Sequence, residues 1–553
     1  MQFTRRGMLG STGAALLMAP LGARAAQQAR LGDVAAPIRA LAEAVLARNG
    51  FPGVSIALVA PGYTGAFAIG FADLDSRTPA TPAHLFQIGS ITKSLTGMAA
   101  FVLAGQGKLD FDAHVQGLLP EVPLPPEPIT VRNLLEHSSG LPNSLEPTPF
   151  LDVPGGRLWT GFAPGSRYSY CNLGYTLLGM IVERASGMPY AEAMQRLVLR
   201  PIGMANAKPV IRTADRALYA TGHVRLRDDV PWLPRAALTE GRWLEIHSAA
   251  GSVAADARDM VAYLRAVVAL GQGKGAPLFS DALAVRYRTP TIGSTHGPGA
   301  RYGNGLATVD LGGRPMLRHT GGMIGFSSAV TVDAAAGIGC YASINVGGAA
   351  GYRPIEITEY ALAVLRAAAA GEALPAAPQP RGGTPVPDQA RFAGRWMAED
   401  GRQFSVAERG GALFVNAAGV ERPFVSVGVR GFATDHPSLA PYIFAMEPGE
   451  ALVLRLGGAL FGKGAAPPMP APVPAVAALA GEYYGSDWDP RASVHAIGNR
   501  LFGDGSELVA APDGSWRFAD PALSPERVWF ENPVRGRPQI LNVSGARYSR
   551  TGG

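Results

Sequence analysis

Between Asp33 and Asn49 the apolar residues Val34, Ile38, Leu41, Val45 and Leu46 return at intervals of three and four, the spacing of one helical face. The rhythm then shortens. Gly53 to Ala60 and Thr64 to Ala72 read as two strands folded about Pro61-Gly62. An extended approach, Phe86-Gln87, runs into Gly89 and on into an apolar helix reaching about Gly105. Thr130 is placed to cap a short helix ending near Gly140, and Asp256 to cap another just after it. Met204 to Trp243 is irregular and rich in arginine, and reads as a substrate-side lobe. Leu317 to Val332 and Ile338 to Val346 return to strand, and Ile355 to Ala370 to helix. A helix followed by a hairpin, with more helices and strands beyond, predicts an α+β domain whose helices pack on an antiparallel sheet.

The rest of the chain has another texture. Leu374 to Pro387 is proline-rich and reads as a linker, as does Ala465 to Pro474. After each comes a glycine-aromatic opening, Gly394-Arg395-Trp396 and Gly481-Glu482-Tyr483, set 87 residues apart (481 minus 394). Short alternating strands without a helix follow both openings, which predicts two small β-barrels related by duplication. The expected division is 26–373 for the first domain, 388–464 for one barrel and 476–553 for the other.

Composition agrees with several folded domains: 553 residues, 47% hydrophobic and 17% charged. Arg5-Arg6 precede an apolar run that ends in Ala23-Arg24-Ala25, so residues 1–25 read as an export signal resembling a twin-arginine leader. No other stretch looks able to span a membrane, so a periplasmic or secreted protein is expected. The formal charge of +6 falls to +3 when Arg5, Arg6 and Arg24 leave with the leader (6 minus 3). No basic stripe remains, and nucleic-acid binding has no support. Two cysteines, Cys171 and Cys340, exclude a disulfide scaffold and a cysteine-based zinc site. They are expected as buried thiols, with a disulfide as the minority alternative.

Three segments carry candidate chemistry. In Ser90-Ile91-Thr92-Lys93 the two polar groups lie three apart and share a helical face, so a lysine of lowered pKa could take the serine proton. Lys93 is one of five lysines beside 44 arginines, and lysine is the cation whose pKa a protein can move. Tyr170-Cys171-Asn172 enters a helix through Pro164-Gly165 and offers a phenol, lowered by nearby cations, and an amide. Tyr302-Gly303-Asn304 has the same spacing but opens a strand, and is set aside. His319-Thr320-Gly321-Gly322 lies in a strand where glycines permit close approach, so its edge could take a substrate main chain by strand addition. His137 is read as a packed polar residue or cap and Ser252 as a turn residue.

These three motifs, in this order, resemble the serine beta-lactamase and penicillin-binding-protein superfamily, in its class C-like branch with D-aminopeptidases, carboxypeptidases and esterases. The resemblance covers about Asp33 to Gly371. It implies a sheet flanked by helices plus a helical lobe, with the site between them and no metal or cofactor. By the same resemblance Ser90 is the acylated nucleophile and Lys93 and Tyr170 share the proton work. Asn172, His319, Gly321 and Gly322 would lie on the substrate side, with the amides of Ser90 and Gly322 forming the oxyanion hole. Many penicillin-recognising members carry lysine where His319 stands. That departure favours a peptidase, amidase or esterase acting on a small peptide, amide or ester over a dedicated beta-lactamase. A chain with two trailing barrels looks like a D-aminopeptidase. The rival reading is a non-catalytic receptor for penicillins or peptidoglycan fragments.

Overall fold

The computed structural model describes residues 34–143, 155–225, 238–347, 352–378 and 388–551, less 427–430, 435, 437–438, 440–442, 450, 486–490, 504–505 and 520–524. The expected leader and most of the first linker lie outside the described residues. Among the described residues no helix is long and apolar enough to cross a membrane.

Nine strands form one sheet: β1 (Gly53–Ala60), β2 (Tyr63–Asp73), β3 (Thr78–Pro79), β4 (Ile292–Gly293), β5 (Arg301–Gly303), β6 (Leu306–Asp310), β7 (Pro315–Met323), β8 (Phe326–Asp333) and β9 (Ile338–Ile344). Their order is β3-β2-β1-β9-β8-β7-β6-β5-β4, antiparallel throughout. Side chains on a strand alternate between faces, and β1 shows the result. Val54, Ile56 and Leu58 enter one core, shared with helices α1 (Ala35–Asn49) and α5 (Ile355–Ala370). Ala57 and Val59 enter a second, shared with α2 (Thr92–Gly105), α3 (Asn172–Ser186) and α4 (Ala257–Gly271). The sheet is therefore buried on both sides, and the cleft opens where the helical lobe meets β7.

One expected element is shorter than anticipated. The helix capped by Thr130 runs only from Val131 to Leu135, because His137 takes a left-handed backbone with φ +56° and turns the chain away. Both cysteines are buried thiols.

Each C-terminal unit closes into an eight-stranded barrel, the first from Gly394–Met397 to Ala459–Lys463, the second from Gly481–Tyr484 to Ala546–Arg550. The 87-residue offset holds at the level of single contacts. Trp396 donates its ring N–H to the Phe392 carbonyl and Tyr483 its hydroxyl to the Leu479 carbonyl. Lys463 reaches the Arg391 carbonyl as Arg550 reaches that of Ala478. The barrels are joined by Glu447, which takes Arg455 at 2.8 Å and Arg500 of the second barrel at 2.5 Å. The second barrel also docks on the helical lobe: the Pro525 carbonyl accepts from the Trp159 ring at 2.8 Å, and Trp529 meets that ring edge to face.

Helix α4 starts as its sequence requires, with the Asp256 carboxylate accepting from the amides of Arg258 and Asp259, each at 2.8 Å. Among the described residues Asp259 Oδ2 is buried without a partner, and burial, aided by Asp256, raises its carboxyl to about 6. A carboxyl whose folded pKa lies above its unfolded one contributes most at low pH and loses that contribution as pH rises through the folded value. Relative to the parent chain, Asp259→Asn should therefore be more stable at pH 7.5 than at pH 4 by about 1–2 kcal/mol. Denaturant unfolding of both chains at the two pH values checks this.

Candidate active site

The site begins with a backbone contact. Gly89 has φ +55°, and a β-carbon there would fall 2.7 Å from the Gly322 amide nitrogen. Across the same contact a β-carbon on Gly321 would lie 2.0 Å from the Ile88 carbonyl, which also accepts from the Ser328 hydroxyl at 2.9 Å. Only glycines permit the Ser90 turn and β7 to touch in this way. Ser90 sits in a single 3₁₀ turn, Gly89–Ile91, just ahead of α2, and one turn on comes Lys93.

Lys93 is fully buried, and its Nζ meets Asn172 Oδ1 at 2.7 Å, the Ala250 carbonyl at 2.7 Å and Ser90 Oγ at 3.0 Å. No carboxylate is among these partners. Burial drives its pKa well below the ordinary lysine value. A neutral amine has two N–H bonds and one lone pair. Asn172 Oδ1 and the Ala250 carbonyl can only accept, so they take the two hydrogens. The lone pair is left pointing at the one partner able to donate, the Ser90 hydroxyl.

Tyr170 lies on the approach to α3, whose first amides are held by Cys171: its Sγ accepts from Gly174 N–H. The Tyr170 phenol shares a hydrogen bond with Ser90, and its ring lies 4.8 Å from the lysine nitrogen. The expected depression of this phenol is not what the site produces. Burial raises it, and the Ser90 bond and the Arg353 charge offset only part of that rise. Tyr170 is therefore a proton donor in the resting site. Asn172 opens α3, and Asn143 Oδ1 accepts from both its backbone and side-chain nitrogens at 2.8 and 3.0 Å. That pairing fixes which end of the Asn172 amide faces Lys93.

His319 is on β7 at 2% exposure, with both ring nitrogens engaged, Nδ1 with the Thr320 carbonyl at 2.7 Å and Nε2 with the Tyr302 hydroxyl at 3.0 Å. Since the carbonyl can only accept, Nδ1 carries the proton and Nε2 accepts from the phenol. Burial first and Lys93 second hold its pKa down to about 3, so it is an uncharged part of the cleft's underside. Tyr302, the discarded look-alike, is thus the partner of His319. His137 lies beneath Tyr170 with ring centroids 4.3 Å apart, its Nδ1 accepting the Cys171 amide. Ser252 bonds the Pro209 carbonyl and points away from the chemistry.

β6 pairs with β7 only over Pro315 to Arg318, so on that side the ladder stops before His319–Gly322. Gly322 is exposed there beside Ser90. Three residues of the site escaped sequence reasoning. Arg353 donates to Ser327 Oγ and the Tyr352 carbonyl and brings Nη2 within 2.5 Å of where a Gly322 β-carbon would stand. Asn143 and Glu526 are the others, the latter accepting the Asn143 amide from the second barrel. None has a local signature, since each acquires its role from a partner distant in sequence.

The chain is similar to several known proteins. Over 213 residues the chain is 28% identical to a beta-lactamase of Providencia stuartii, covering 38% of this chain and 54% of that protein. Over 308 residues it is 29% identical to a D-aminopeptidase of Gluconobacter oxydans, covering 53% and 55%. The chain thus spans about half the length of these curated relatives. Among solved structures, the octameric penicillin-binding protein homologue from Pyrococcus abyssi superposes with a TM-score of 0.56 at 23% identity, over 77% of this chain and 99% of the other. SurE superposes with a TM-score of 0.50 at 21% identity, over 96% and 100%. These two likenesses concern the fold. Residues 38–365 match the beta-lactamase family, which is more than half of the chain, and the protein belongs to that family of serine hydrolases.

Proposed function

We propose that this protein is an exported serine peptidase or amidase that works through an acyl-enzyme on Ser90. The observation that carries this reading is the buried lysine, whose Nζ lies 2.7 Å from each of two groups that can only accept and 3.0 Å from Ser90 Oγ, so that in its neutral form the lone pair faces the serine. Ser90 gives its proton to Lys93 as Oγ bonds the substrate carbonyl carbon. The charge that develops on the carbonyl oxygen is met by the backbone N–H groups of Ser90 and Gly322. On collapse the C–N bond breaks, the leaving nitrogen takes the Tyr170 proton, and Lys93 returns one to Tyr170. Water then releases the acyl group by the reverse proton path. Gly321 and Gly322 offer main-chain bonding to the substrate, while Asn172 borders the cleft and His319 supports it from beneath. The neutral His319 does not leave the cleft without a cation, because Arg353 stands beside Gly322 and Tyr170.

Lys93→Ala should abolish labelling of Ser90 by a fluorophosphonate or penicillin, seen as covalent mass, while circular dichroism stays that of the parent chain. In the parent chain, acylation should reach its plateau well below the ordinary lysine pKa of about 10.4. A rate still climbing at that pH would count against a neutral Lys93. Tyr170→Phe should lower turnover of an amide by about 10²–10⁴-fold and of an ester with an activated leaving group by much less, since only the amine needs the proton. Side-by-side rates on matched D- and L-amino-acid amides and esters measure this. Hydrolysis of esters alone would make the protein an esterase, and no covalent mass on Ser90 would favour a receptor.

A further inference from the structure

The proton-transfer site is finished by a residue from the far end of the chain. Lys93 is oriented by Asn172 Oδ1, and the Asn172 amide is oriented by Asn143, whose Oδ1 takes both of its nitrogens. Turning the Asn172 amide over would set a donor against Lys93 and an oxygen against Asn143 Oδ1. Asn143 follows Pro142 on a surface segment, and among the described residues its backbone amide has one partner, Glu526 Oε1 at 2.5 Å, 383 positions away. Glu526 is itself held in the second barrel by Ser544, whose hydroxyl accepts the Arg527 amide at 3.0 Å. Around it the docking is close. The Arg527 guanidinium covers the Trp159 ring at 4.6 Å, and a β-carbon on Gly161 would lie 2.6 Å from Pro525.

We propose that Glu526 is a positioning residue for acylation, holding Asn143 so that Asn172 keeps its oxygen on Lys93, and that the site is competent only while the second barrel is docked. This rests on the reading of Ser90 as nucleophile. The link runs through an acceptor oxygen, so a glutamine, which keeps such an oxygen, serves in its place. When the link is cut, Asn172 is free to turn, water reaches Lys93, and the amine recovers its affinity for a proton. Among the described residues the ionisable neighbours of Lys93 include Tyr170, Cys171 and Tyr175 from the α3 segment, His137 from the loop beneath and His319 from β7; those of Glu526 include Cys171 and the adjacent Arg527. None of them can replace the bond to Asn143.

The test is the rate of Ser90 labelling by a fluorophosphonate, measured on the full chain against probe concentration and pH. Glu526→Ala should lower the limiting rate by about 10–100-fold with little change in the half-saturating concentration, and move the rise of rate to higher pH. Glu526→Gln should stay within about threefold of the parent chain. Asn143→Ala, which keeps the amide bonded to Glu526 and so leaves the docking undisturbed, should reproduce the loss. Parent-like rate and pH profile in Glu526→Ala, or a parent-like rate in Asn143→Ala, would overturn the proposal. A parent chain that never labels at Ser90 would instead overturn the reading of the nucleophile.

Discussion

The structure depends on keeping one amine dry. Among the described residues Lys93 has no carboxylate in hydrogen-bond reach, and burial is the largest influence on its protonation. The cage that excludes water comes from separate parts of the first domain: α2 supplies the lysine, α3 the amide and the Tyr175 ring, the approach to α3 the Tyr170 ring, and the Ala250 segment a carbonyl. A lysine whose pKa is held well below its ordinary value is a costly thing to fold around, because its unfolded form regains full hydration and its ordinary affinity for a proton. Its burial away from water is what fits it to act as a base in the proposed reaction.

The surrounding tyrosines and histidines follow from that requirement. His137 and His319 would compete for charge if they were wet. Buried, they stay neutral and act as shaped, hydrogen-bonding filler between Tyr170, Tyr175 and Tyr302. A fixed cation of the cleft, Arg353, is kept at its rim, next to Gly322 and clear of the lysine's own partners.

Much of this was legible in the sequence wherever the signal is local. Apolar spacing located α1, and Asp256 marked the start of α4, because those features depend on neighbours within one helical turn. Ser90 and Lys93 were legible for the same reason. The 87-residue repeat announced the paired barrels. The direction of the Tyr170 shift was misread, since proximity of cations can be guessed from composition while depth of burial cannot. The true end of the Thr130 helix was missed because a histidine with positive φ has no sequence mark. Arg353, Asn143 and Glu526 lay beyond reach for a further reason: their roles are set by contacts across hundreds of positions.

The touching backbones at Gly89, Gly321 and Gly322 leave the floor of the cleft without side chains. A floor made of peptide groups presents one unchanging pattern of donors and acceptors, whatever substitutions accumulate around it. Selectivity in such an enzyme can drift only at its walls and rim, so descendants of this chain can change what they accept without disturbing how they hold the bond they cut.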